Sequence, residues 1–222
     1  MPAPQHVLIP AAGLGSRLGH GAPKTLITLG GRSLLEHQLR ATAAIEDVRI
    51  VVGYCEQEVM SAARAVRSDV LFVRNPNFRQ TTTLQSLSRA ASGLSDAKVL
   101  IMDADTLFRP VDFDAFVAAS ADVEALLGVS ARFSEQPVYA HTDGSGAVTS
   151  FHRERPSGLE WASLAAVPAS WLTDQPMAVF EALTPHLPLP AFTVDRLEVD
   201  TERDLQTARA WLDAHPEFLR DV

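Results

Sequence analysis

Short apolar runs alternate along the first half of the chain with segments whose apolar residues recur at helical spacing. Val7 to Ile9, Arg49 to Val52, Val70 to Val73 and Val99 to Met102 read as strands. Between them, Ser33 to Ala43, Glu56 to Val66 and Thr81 to Leu94 read as helices. Ser33 with Glu36 forms a capping box at one helix start, and Leu84, Leu87, Ala91 and Leu94 make the apolar stripe of another. Strands and helices in this rhythm build a parallel sheet with helices packed against it. Beyond residue 110 the pattern loosens. Ala125 to Val129 predicts a strand, and Pro137 to His141 with Ala147 to His152 predicts a hairpin around Asp143-Gly144-Ser145-Gly146, both as antiparallel additions. Proline-bounded Ala169 to Leu183 predicts a helix, and Pro185 to Pro190 a loop. Arg196 to Val199 and Thr201 to Leu212 predict a strand running into a helix, with Thr201 and Asp204 as its capping pair. The expected fold is α/β: three-layer and Rossmann-like, with a mixed, mostly parallel sheet and helices on both faces.

A length of 222 residues suits one domain with a substantial core, so residues 1–222 are expected to fold as a single unit. Hydrophobic and charged contents of 46% and 21% are those of a folded globular chain. No apolar run reaches the length of a membrane span, and Met1-Pro2-Ala3-Pro4 lacks the basic and apolar regions of a signal peptide. A cytoplasmic protein without a membrane partner is therefore expected. The single cysteine, Cys55, excludes an intrachain disulfide, and the scattered histidines show no pair at metal-ligand spacing. A net charge of −8 and no basic run disfavour a generic nucleic-acid binder, so no nucleic-acid partner is expected, and an anionic substrate would need local positive charge.

His6 to Leu35 supplies such charge. The apolar run ends in Pro10-Ala11-Ala12-Gly13-Leu14-Gly15-Ser16-Arg17, and Lys24 follows Pro23. Ala11, Ala12, Gly13, Gly15 and Ser16 read as a tight backbone turn presenting N–H groups to a phosphate, with Arg17 and Lys24 as its cations. An ordinary glycine turn after a strand is the plain alternative. A dinucleotide-binding loop fits poorly, because His20-Gly21-Ala22-Pro23 interrupts any helix and the second strand runs into Gly53-Tyr54-Cys55 rather than a carboxylate.

Asp103 and Asp105 leave the end of the run Val99 to Met102 and share one side by period-two alternation. Asp200 stands in the same context, after a strand and before a helix. Turn-forming or capping aspartates are the alternative, but hard oxygen donors at strand ends suit Mg²⁺ beside a phosphate. The helix start Arg79-Gln80-Thr81-Thr82-Thr83 carries more hydroxyls than capping needs and suits polar ligand edges. Glu154 and Arg155 read either as solvated strand-end charges or as a grip on an anionic acceptor. Glu160 and Trp161 read either as a surface glutamate beside a core tryptophan or as part of an acceptor pocket for an ammonium group.

Together these motifs resemble the nucleotidyltransferases that join an NTP to a phosphorylated acceptor with release of pyrophosphate. The Pro-Ala-Ala-Gly turn, the step from Arg17 to Lys24 and Leu35-Glu36-His37 are most similar to methylerythritol phosphate cytidylyltransferases. Asp105-Thr-Leu-Phe and the segment around Asp200 are closer to the sugar-phosphate and phosphocholine branches, and Glu154-Arg155-Pro156 resembles their Glu-Lys-Pro. The resemblance implies the nucleotide-diphospho-sugar transferase fold, with residues 1–110 as a nucleotide-binding half and 111–222 as an acceptor-binding half. It implies Mg²⁺ on Asp105 and Asp200, and Arg17, Lys24 and Asp105 as catalytic residues. Thr82 would lie beside the base with Arg79, Asp103 would belong to the nucleotide site, and Glu154, Arg155, Glu160 and Trp161 would line the acceptor site. CTP is the favoured NTP, with a small phosphorylated alcohol, amino alcohol or phosphonate as acceptor. A sugar-1-phosphate nucleotidyltransferase is the alternative, and a homodimer is an open assembly.

Overall fold

The computed structural model describes residues 3–14, 23–132 and 134–215. Strand β1 (His6–Pro10) is followed by a 3₁₀ turn (Lys24–Leu26), the ribbon β2 (Thr28–Leu29) and β3 (Arg32–Ser33), and helix α1 (Leu34–Ala41). Next come β4 (Asp47–Val52), α2 (Glu56–Val66), β5 (Leu71–Arg74), α3 (Thr83–Ala90), β6 (Lys98–Met102), β7 (Thr106–Phe108) and α4 (Pro110–Ser120). The remainder consists of β8 (Leu126–Ser130), β9 (Tyr139–Thr142), β10 (Val148–His152), β11 (Glu160–Pro168), α5 (Val179–Leu183), β12 (Ala191–Thr193), β13 (Arg196–Glu198) and α6 (Glu202–Ala214).

The main sheet runs β10-β9-β11-β6-β1-β4-β5, with β8 on β11 and β12 on β8. Strands β6, β1, β4 and β5 are mutually parallel. Strand β11 runs against β6, β8 and β9, and β10 runs against β9, so every other strand of this sheet points one way. The fold is thus the mixed, mostly parallel α/β architecture expected from the sequence. Val7, Leu8 and Ile9 are fully buried because β1 is covered on both faces. Leu8 packs in the cluster of Leu84 and Leu87 from α3, while Val7 and Ile9 join Leu35 and Leu39 of α1, Val59 of α2 and Phe116 of α4. A third cluster joins Leu205, Ala208 and Trp211 of α6 to Leu107 of β7 and Leu197 of β13.

Three elements depart from the sequence pattern. The expected helix over Ala169 to Leu183 is instead a 3₁₀ turn (Ala169–Trp171), a connecting stretch and the short α5. Pro176 removes a donor and disfavours helical geometry at Gln175, so the two pieces cannot join. Strand β11 is buried on both faces for most of its length, so it carries no period-two signal. Helix α4 packs Phe113 and Phe116 inward but leaves Val111 exposed, which blurs its amphipathic pattern.

Strand β8 approaches β11 closely at Gly128, where a Cβ would lie 2.9 Å from Leu164 Cβ and 3.0 Å from the Leu164 carbonyl oxygen. Gly128→Ala is expected to cost about 1–3 kcal/mol, since backbone cannot yield as a flexible side-chain end can. Urea denaturation checks this, and an unchanged midpoint would contradict the close fit.

Candidate active site

The chain moves from β1 outward to β4 and β5 and then returns to β6 on the other side of β1. The loops leaving β1 and β6 therefore diverge and open a crevice at their carboxyl ends, where α/β sheets bind ligands. A cleft of about 350 Å³ lies there. It is lined by Ala11, Ala12 and Gly13 after β1, by Lys24 and Thr25, by Thr81, Thr82 and Thr83 before and at the start of α3, and by Asp103, Asp105 and Asp200. The structure thus brings together Ala11, Ala12, Gly13, Lys24, Thr82, Asp103, Asp105 and Asp200. Gly15, Ser16 and Arg17 lie outside the described residues.

Each wall has a local cause. Ala11 donates its N–H to the Val51 carbonyl, and Tyr54 donates to the Ala12 carbonyl, tying the turn after β1 to the end of β4. Pro23 sets the extended backbone before the 3₁₀ turn, which starts at Lys24 and is anchored by buried Thr25. Thr82 caps α3 by accepting from Gln85 N–H at 3.3 Å, with Gln85 Oε1 accepting from Thr82 N–H in return. Thr81 Oγ1 accepts from Asn75 at 2.7 Å. The aspartate turn after β6 is held from α1, because the Gln38 amide donates to the carbonyls of Asp103 and Thr106 at 2.6 and 2.8 Å. Val199 N–H donates to the Asp105 carbonyl, which brings the end of β13, and with it Asp200, alongside.

Lys24 Nζ donates to Asp105 Oδ2 at 2.6 Å and also to Asp200 Oδ1. Burial opposes the lysine charge, but Asp105 and Asp200 outweigh it and raise its pKa above the ordinary value. Desolvation, then repulsion from Asp105, lifts Asp103 to about 7. Burial and the same repulsion lift Glu198 to about 8, opposed by Arg196. Asp105, Glu198 and Asp200 can place one carboxylate oxygen each within 4.8 Å of one another. This all-oxygen set fits a hard divalent cation such as Mg²⁺. Glu198 was not singled out as a ligand from the sequence, although its position two residues before Asp200 on a strand was a usable signal.

The remaining sequence candidates stand elsewhere. Arg79 is exposed, its guanidinium 5.4 Å from the centre of the Phe78 ring, and Phe78 lines the cleft while Arg79 does not. Glu154 and Arg155 are exposed after β10 and line neither the cleft nor the second one adjoining Asp200. Glu160 and Trp161, read as an acceptor pocket, are instead buried in β11. The Glu160 carboxylate accepts from Ser134 N–H at 2.8 Å, from Ser134 Oγ at 2.6 Å and from Arg196 at 2.8 Å. Trp161 is 6% exposed and packs in the core at a steep angle to Phe151, so its ring is not open to a cationic ligand from the cleft. Among the described residues, no helix is long and apolar enough to cross a membrane.

Comparison with known proteins agrees with this geometry. Over 124 residues the chain is 38% identical to a 2-C-methyl-D-erythritol 4-phosphate cytidylyltransferase of Streptomyces avermitilis, a match spanning 52% of this chain and 49% of that relative. The chain thus spans about half the length of the curated relative. Its fold superposes on a UDP-glucose pyrophosphorylase from Acinetobacter baumannii with a TM-score of 0.80 at 16% identity, covering 98% of this chain and 96% of the other. An inositol-1-phosphate CTP transferase from T. maritima superposes with a TM-score of 0.79 at 14% identity, covering 99% and 98%. These likenesses establish the nucleotide-diphospho-sugar transferase fold. With residues 7–174 matching its pattern, the chain belongs to the MobA-like NTP transferase domain family.

Proposed function

We propose that the chain transfers a nucleotidyl group, CMP from CTP before others, to a small phosphorylated alcohol, amino alcohol or phosphonate, with release of pyrophosphate. The observation that carries this reading is the meeting of Lys24, Asp105 and Asp200 in the crevice between the β1 turn and the start of α3. Residues 1–110 form the nucleotide half and 111–222 the acceptor half. An ionised acceptor oxygen attacks the α-phosphorus in line, the new P–O bond forms, and the bond to the bridging oxygen breaks as pyrophosphate leaves. No proton need move, so the residues act by alignment and charge stabilisation.

Gly13, Gly15 and Ser16 take the phosphates through the backbone, and Arg17 and Lys24 balance the charge of the leaving group. Asp105 and Asp200 would hold Mg²⁺, with Glu198 as a third oxygen donor in reach. The bound ion would supply electrostatic stabilisation of the α-phosphate. Thr82 and Thr83 present polar edges at the start of α3 for the base, with Asp103 at the other wall. The cytidylyltransferase relative supports CTP. A second reading, transfer to a sugar 1-phosphate, is favoured by the likeness to the UDP-glucose enzyme.

Mg²⁺-dependent pyrophosphate release from each of the four NTPs against alcohol phosphates, phosphonates and sugar 1-phosphates tests both readings. Release with CTP and an alcohol phosphate or phosphonate is expected. UTP with a sugar 1-phosphate would favour the second reading, and silence across the panel with NTP binding retained would count against both.

A further inference from the structure

Asn75, in the turn after β5, is fully buried. Its amide is held in one orientation. Oδ1 accepts from Asn77 N–H at 3.2 Å, so Nδ2 is the atom that donates to Thr81 Oγ1 at 2.7 Å and to Ser86 Oγ at 3.1 Å. Each hydroxyl thus spends a lone pair on Asn75 and keeps its own proton to give. Thr81 gives its proton to the Asn77 carbonyl at 3.2 Å. Ser86 Oγ has no such acceptor among the described residues, although Ser86 is only 5% exposed and lines the active cleft. A buried O–H left unmade is costly, and a ligand acceptor would satisfy it.

Position narrows what that acceptor is. Thr83 and Ser86 stand three residues apart on α3, so they share the side that faces the cleft. On the reading above, the phosphates lie at Lys24, Asp105 and Asp200, which leaves the α3 wall, with Phe78 beside it, for the base. At the Watson–Crick edge, N3 of cytosine is an acceptor, whereas N3 of uracil carries a proton. Cytosine N3 takes the Ser86 proton and leaves nothing unmet. Uracil would require the hydroxyl to turn and would strand that proton. We propose that Ser86 determines nucleotide specificity by donating to cytosine N3, and that Asn75 is the positioning residue that keeps the Ser86 proton directed at the base. The inference rests on the nucleotidyltransferase reading above and adds the residues that choose the base.

The test is calorimetric titration of CTP, UTP and 3-deazacytidine triphosphate, in which C–H replaces N3, into the protein with Mg²⁺ and no acceptor. The parent is expected to bind CTP more tightly than UTP, and the analogue about 10-fold more weakly than CTP, as for one lost hydrogen bond. Ser86→Ala should weaken CTP by a similar factor, leave UTP near its parent affinity and bind CTP and the analogue alike. Ser86→Thr keeps the hydroxyl and should keep the preference. Asn75→Asp supplies a readout that a purely structural role would not move. Its carboxylate still accepts from Asn77 N–H but takes the Ser86 proton, so the hydroxyl offers the base a lone pair and the CTP-to-UTP affinity ratio should fall. If that variant does not fold, the Ser86→Ala and analogue titrations decide. Equal weakening of CTP and UTP in Ser86→Ala, or an analogue bound by the parent as tightly as CTP, would overturn the assignment while leaving the nucleotidyltransferase reading in place. A parent protein that binds no NTP would remove that reading and the assignment with it.

Discussion

Asp105→Asn is expected to lower Mg²⁺-dependent turnover by roughly 10³-fold or more, because a metal-held α-phosphate contributes several kcal/mol of charge stabilisation. The amide keeps the shape of the carboxylate and can still meet Thr106 Oγ1, which lies 3.2 Å from Asp105 Oδ1. Removing the charge also relieves the repulsion that raises Asp103 and Glu198. The fold should therefore survive, with a melting temperature near that of the parent. Turnover and thermal melting on the same preparation check both halves. Full activity in the variant would remove Asp105 from the site's chemistry, whereas the expected pattern is a folded, nearly inactive protein.

For Lys24→Ala, the expected loss is on the order of 3 kcal/mol of transition-state stabilisation, or roughly 10²-fold in rate, as for one preorganised donor. A second consequence follows from its contacts. Lys24 sits between Asp105 and Asp200 and balances their charge without a nucleotide. Its removal leaves these carboxylates and Glu198 crowded. Added Mg²⁺ should accordingly raise the melting temperature of Lys24→Ala more than that of the parent, because the cation replaces the missing ammonium. Unchanged turnover would falsify the catalytic role, and an equal Mg²⁺ response in the two proteins would show that the lysine does not balance the acidic cluster.

Much of the structure up to residue 110 was legible locally. The alternation through Met102 predicted β1, β4, β5 and β6 with the helices between them, since burial on a parallel sheet leaves continuous apolar runs. Ser33, the threonines Thr81 to Thr83 and Thr201 marked helix starts, and Ser33, Thr82 and Thr201 each accept the backbone N–H three residues on. Asp103 and Asp105 were legible as strand-end carboxylates and do line the cleft. Residues 111–222 were harder to read. Glu160 and Trp161 look like a polar-aromatic pocket motif in isolation, and only the pairing of β11 with β8 and β9 shows that they are interior residues. Glu198 looked like an ordinary strand residue because its place beside Asp105 depends on β13 pairing with β7, where Glu198 stands opposite Thr106.

By itself, the sequence determined the main strands and helices up to Met102, the capped starts of several helices, and which charged residues stand at strand ends. Those properties depend on hydrogen bonding, capping and burial periodicity over a few neighbouring residues. The tertiary structure decided which of these charges meet. Lys24 reaches Asp105 and Asp200 across 81 and 176 positions of sequence, and Arg196 joins Glu160 to Glu198 beneath the second cleft. Such meetings depend on strand order and on the reversal between β1 and β6, which no local pattern encodes, because the forces that set them act only once the sheet has assembled.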